Sequence, residues 1–123
     1  MKSLSQIRAA NALTSAHRDG MGLGQQGGNA LSGFPMLIKS DGLLPALAFA
    51  VERKPGGGRK QPGCFLIAQA IAEHLSSEGV AIAEADEPDA LVDELARAND
   101  DSQLRRATAE AIAFLNYLKR FVA

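Results

Sequence analysis

Apolar positions recur every third or fourth residue along most of the chain. No window shows the apolar and polar alternation, rich in β-branched residues, that marks a half-buried strand. The pattern predicts an all-α protein, a compact bundle of about five or six helices within one domain, 1–123.

A first helix is expected from about Ser3 to Asp19, where Leu4, Ile7, Ala10 and Leu13 recur and Ala16 continues the stripe; Gly20 ends it. The following GMGLGQQGG, residues 20–28, holds five glycines and reads as a flexible connection, since glycine loses the most backbone entropy on ordering. A short helix over Ser32 to Ser40 comes next, with Gly42 placed for a left-handed C-terminal cap. Leu43 to Arg53 forms another, with Pro45 in the first turn, where a missing N–H costs little.

A second glycine-rich linker, KPGGGRKQPG over Lys54 to Gly63, leads to a helix from Cys64 to Ser77. That helix is apolar around most of its circumference and should be the central one. Glu78 to Glu87 reads as loop, and Asp86-Glu87-Pro88 as a helix start with Asp86 as the capping carboxylate. The helix it opens carries Leu91, Val92 and Leu95 and ends near Asn99; the last runs from about Gln103 to Val122.

In the last helix, Leu104, Ala107, Thr108, Ala111, Phe114, Leu115, Leu118, Phe121 and Val122 fall within an arc of about 140° at 100° per residue, a core stripe. Outside it lie four cations, Arg105, Arg106, Lys119 and Arg120, with one acid, Glu110, which places Glu110 on the surface side. Lys119 and Arg120 also offset the negative end of the helix dipole, by about 0.3–1 kcal/mol.

Charge changes the picture more than composition does. A net charge of −1 argues against a phosphate partner, yet residues 73–101 hold ten acids and one base while the remainder carries twelve bases against four acids. The basic remainder concentrates in the glycine loop, as Arg53, Lys54, Arg59 and Lys60, and on the face of the last helix. Such residues follow a phosphate backbone and give affinity without base readout; the alternative is a plain solvated linker and helix face. If the acidic 84–101 region and the 53–60 loop lay at opposite ends, they would offer complementary charge for head-to-tail stacking.

Other chemistry is sparse. Gly22-Leu23-Gly24-Gln25-Gln26-Gly27 fits the dinucleotide fingerprint, but that motif needs a preceding strand and none is expected. His17 and His74 lack companions at metal-ligand spacing, and His74 with Glu73 and Glu78 reads as a helix surface. Cys64 stands alone and reads as a small core hydrophobe. No Ser-His-Asp set or contrasting carboxylate pair can be assembled, so neither an enzyme nor a cofactor is expected. Pro62 to Ala72, the longest uncharged helical run, is too short for a bilayer, and Gln6, Arg8 and Asn11 interrupt any signal-peptide core, so a cytoplasmic location is expected.

The stretch from Arg105 to Phe121, RRATAEAIAFLNYLKRF, closely resembles the C-terminal signature of the small helical subunit of the Cmr effector complex, the type III-B CRISPR RNA-guided machine. Two weaker blocks agree: Arg8-Ala9, and Leu37-Ile38 through Asp41-Gly42-Leu43 to Ala46-Leu47-Ala48-Phe49. The glycine loops and the acidic stretch have no counterpart in it. Leu104 stands where an aromatic is frequent, and Tyr117 where tryptophan is usual. The resemblance implies a non-catalytic antiviral-defence subunit, stacked in several copies beside the subunits that hold the guide RNA. Its implied partners are the other Cmr subunits, copies of itself, and guide and target RNA. With that role, the cations read above from charge become the expected RNA-phosphate contacts: Arg105, Arg106, Lys119 and Arg120, together with Arg53, Lys54, Arg59 and Lys60 of the loop. Membrane and small-molecule cofactor are absent from that list. The competing reading is a purely protein-binding helical spacer.

Overall fold

The computed structural model describes residues 1–122 and contains helices and turns only, apart from one isolated β-bridge between Arg53 and Arg59. The helices are α1 (Leu4–Ala16), α2 (Gln26–Ala30), α3 (Phe34–Asp41), α4 (Leu43–Ala50), α5 (Pro62–Ser76), α6 (Pro88–Ala96) and α7 (Ser102–Phe121). The all-α bundle is as the periodicity predicts. Helix α5 is its centre, touching α1, α2, α4, α6 and α7, with Ile67, Ala68, Ile71, Ala72 and Leu75 fully enclosed.

Helix α1 begins with a reciprocal cap. Ser3 Oγ accepts from the Gln6 N–H at 3.1 Å, and Gln6 Oε1 accepts from the Ser3 N–H at 2.8 Å. Its fully buried residues are Ala12 and Ser15, so the helix packs closely on α7 with little apolar volume of its own.

The first glycine segment is a packed element rather than a flexible connection. It carries α2, whose Gly27 N–H donates to the Gly20 carbonyl at 2.7 Å, while Met21 is 1% exposed. A methyl group on Gly28 would run into the Gly22 carbonyl, and one on Gly63 into the Gln26 carbonyl across the α2–α5 contact. Glycine serves here for close backbone approach, a use that composition cannot separate from flexibility.

Two helix junctions depart from expectation by local geometry. Gly42 has positive φ, +93°, but ψ is 164°, so it is a single-residue corner joining α3 to α4 and not a left-handed cap. At α6 the cap is Glu87, one residue after Asp86: its carboxylate accepts from the Ala90 N–H at 2.9 Å, and Pro88 fills the first position, where no N–H is required. The acidic loop before α6 is held from below by Glu94, which accepts from the N–H groups of Glu84 and Ala85 and from Gln103. Those three donors outweigh burial and keep the Glu94 carboxyl below the usual range.

Candidate nucleic-acid interface

The eight cations singled out in the sequence fall into two sets that the fold treats differently. Arg105, Arg106, Lys119 and Arg120 all project from the exposed side of α7. Fifteen residues separate the first from the last, roughly 22 Å at 1.5 Å per residue, with Ala109, Ala113 and Asn116 between them. Arg105 lies 3.3 Å from Asp101 in a solvent-exposed pair, and Arg120 donates to the Asn116 carbonyl at 3.0 Å. Among the described residues, no carboxylate lies within 4 Å of Arg106, Lys119 or Arg120.

The glycine loop is a hairpin with a fixed base and a bare tip. Lys54 N–H donates to the Gly58 carbonyl at 2.9 Å and Lys60 N–H to the Glu52 carbonyl at 3.0 Å. Gly56, Gly57 and Gly58 take positive φ in succession, a path that only glycine follows without strain, and no other part of the chain comes within 4 Å of a methyl placed on any of them. Lys54 and Lys60 are exposed.

Arg59 behaves otherwise. Its guanidinium donates to both Asp89 oxygens, at 3.2 and 2.6 Å, and to the Val51 carbonyl at 2.7 Å, and it lies 4.0 Å from the centre of the Phe65 ring. The side chain is only 16% exposed. Arg53 approaches the same carboxylate at 3.8 Å but remains open to solvent. With Arg59 bound to it, Asp89 is held below the usual carboxylate range. The basic loop and the acidic segment therefore meet within one molecule, so they do not sit at opposite ends as the stacking scheme requires.

Arg59 is a clasp between the hairpin base and α6. Arg59→Ala is expected to cost about 1–2 kcal/mol, because it leaves Asp89 with only the distant Arg53 and removes the donor to the Val51 carbonyl. Lys54→Ala and Lys60→Ala should stay within about 0.5 kcal/mol of the parent. Urea midpoints of the three variants check this ranking.

Glu110 is not a surface acid. It is 6% exposed and accepts two hydrogen bonds from Arg8, at 2.7 and 2.8 Å, across 102 residues of sequence. His74, 1% exposed and not on a helix surface, also reaches Glu110, Nε2 to Oε2 at 2.9 Å, and stacks on Phe114 with 4.4 Å between ring centres. On its other side, His74 Nδ1 lies 2.9 Å from Asn11 Nδ2, which donates to Ser77 Oγ at 3.1 Å.

The Ser77 hydroxyl donates to the His74 carbonyl at 2.7 Å, so its oxygen is left to accept from Asn11. That fixes the Asn11 amide and makes His74 Nδ1 an acceptor and Nε2–H a donor to Glu110. Burial keeps the imidazole pKa below its ordinary value despite Glu110, and Arg8 adds to the depression. Burial alone would raise the Glu110 pKa; Arg8 and His74 outweigh it and hold the carboxyl below its usual range.

The periodicity missed this cluster because α1 covers the edge of the α7 stripe, which widens the buried arc to include an acid. The one signal for it lay in the resemblance, where Arg8 and Glu110 stand in separate blocks that the fold joins.

Cys64, half-buried beside Phe34, Leu37 and Phe49, has its thiol pKa pushed up by burial and is a poor nucleophile. Among the described residues there is no group of three or more His, Cys, Asp or Glu placed to hold a metal ion, and no helix long and apolar enough to cross a membrane.

The fold and its surface thus define a small all-α bundle that sets four cations on the exposed face of α7 and Arg53, Lys54 and Lys60 on a projecting hairpin. A family model described as CRISPR-associated protein (Cas_Cmr5) matches residues 4–123, nearly the whole chain. The chain belongs to this family, and it is a small subunit of the type III-B CRISPR Cmr complex. No curated protein and no solved structure matches it.

Proposed function

We propose that this chain is a non-catalytic subunit of the Cmr complex, stacked in repeated copies beside the guide-bearing backbone subunits. In this reading Arg106, Lys119 and Arg120 touch RNA phosphates, and Arg105, Arg53, Lys54 and Lys60 extend that contact. The observation that carries it is that, among the described residues, no acid lies beside Arg106, Lys119 or Arg120 on a face spanning most of α7, in a chain of this family. Sequence is then read by guide pairing, and the protein supplies backbone contacts alone. Arg59, engaged with Asp89 and Phe65, acts by holding the hairpin that presents Lys54 and Lys60.

If Z cations neutralise RNA, log affinity falls against log salt with slope about −0.7Z to −0.9Z. Replacing Arg106 and Arg120 by Ala in the assembled complex should flatten that slope by roughly 1.4–1.8. An unchanged slope removes both from the RNA interface.

A second reading, a spacer that touches protein only, draws on one observation. A groove of about 470 Å³ runs beside Arg105, lined by Leu44, Pro45, Leu104 and Ile112. Crosslinking target RNA in the intact complex separates the two: crosslinks to α7 support RNA contact, and their absence supports the spacer.

A further inference from the structure

We propose that Arg8, Asn11, His74, Ser77 and Glu110 form an acid-sensitive latch that holds α1 on the α5–α7 pair and lets it open while the rest of the bundle stays folded. The proposal stands on how α1 is attached. It fully buries only Ala12 and Ser15, and its long-range side-chain polar contacts run through Arg8 to Glu110, Asn11 to His74 and Ser77, and, just past its end, Arg18 to Glu73. A helix held by few large apolar groups is a unit that opens below the free energy of global unfolding.

The groups around the imidazole make the docked state intolerant of a second ring proton. Arg8 faces it from α1 and Glu110 from α7, with Tyr117 beside Arg8; Glu73 lies on its own helix and is paired with Arg18, and Glu78 borders the Asn11 end. Protonated at Nδ1, His74 would point N–H at the Asn11 NH2, donor against donor. Turning the Asn11 amide sets its oxygen against the Ser77 oxygen, and relieving that contact means withdrawing the Ser77 hydroxyl from the His74 carbonyl. Each rearrangement gives up a bond of the closed state. An imidazole that takes its proton only after α1 leaves must favour opening as pH falls. The effect is absent well above the ordinary imidazole pKa of about 6.5 and grows through that value.

Hydrogen exchange on the full chain, corrected for intrinsic rates, tests this. Amides of Ala9 to Ala16 should share an opening constant larger than that of Phe114 and Leu115, rising up to about tenfold between pH 7.5 and 5.5. In His74→Gln the rise should vanish. In Asn11→Asp it should reverse, because a carboxylate at that point accepts the Nδ1 proton. In the unmutated protein, ring-nitrogen shifts should show His74 titrating below the ordinary range. Four outcomes overturn the latch: α1 amides that open only with the α7 core, a pH-independent opening, the parental acid response in either variant, or a native His74 that titrates at or above 6.5.

Discussion

Arg8→Met is expected to lower the folding free energy by about 3 kcal/mol, the low end of what breaking a buried ion pair costs, because the Arg8 side chain keeps some solvent contact. The loss comes less from the missing attraction than from the carboxylate left behind. Glu110 is enclosed by α1, α5 and α7, and without Arg8 its remaining side-chain partner is a neutral imidazole. The Glu110 pKa should then rise, since the first of the two groups that hold it down is gone.

Glu110→Leu is expected to cost a similar amount, by stranding the guanidinium against α7 and leaving the His74 Nε2–H without an acceptor. The double variant should recover part of the loss, since neither charge is then orphaned. Urea denaturation of the four proteins closes the cycle, and strict additivity would show that the two side chains do not act as a pair.

Gly63→Ala is the second large effect, expected at about 2–3 kcal/mol, against about 1 kcal/mol for Gly57→Ala. The two residues belong to the same glycine-rich stretch yet meet opposite surroundings. A methyl at Gly63 strikes the Gln26 carbonyl, a backbone group that yields only if α2 moves off α5. A methyl at Gly57 meets nothing, and its cost is the positive φ of +105° alone. Thermal melts should show Gly63→Ala lowered by several degrees more, since 1 kcal/mol is worth about 3–6 °C in a domain of this size.

These two sites also mark where sequence reading succeeds and where it stops. Periodicity located α1, α3 to α7 and the central role of α5, because burying an apolar stripe leaves a regular trace. It missed α2: five residues, two of them glycine, carry no period. The exposure of Arg106, Lys119 and Arg120 follows from their angular position on α7. Arg59 has the same local sequence context as Lys60, and only the approach of Phe65 and Asp89 separates their roles. The Arg8–Glu110–His74 cluster escapes periodicity for the same reason: its members lie on three helices, and each alone resembles a surface residue.

The signature that ties this chain to its family is therefore two messages overlaid. Ala107, Glu110, Ala111, Phe114, Leu115 and Leu118 face inward and specify packing, with Glu110 matched to Arg8 of a distant block. Arg105, Arg106, Asn116, Lys119 and Arg120 face outward and contribute nothing to the core.

The hairpin closed by the Arg53–Arg59 bridge separates reach from stability. Its base is clamped to α6, and a methyl placed on any of its three tip glycines would meet nothing within 4 Å. Doubling a flexible loop costs only about 0.6 kcal/mol in closure entropy. Residues added or removed at Gly57 would therefore lengthen or shorten the tip while leaving the base that carries Lys54 and Lys60, and the helices beneath, undisturbed, so nothing in the packing of the bundle fixes the length of this finger.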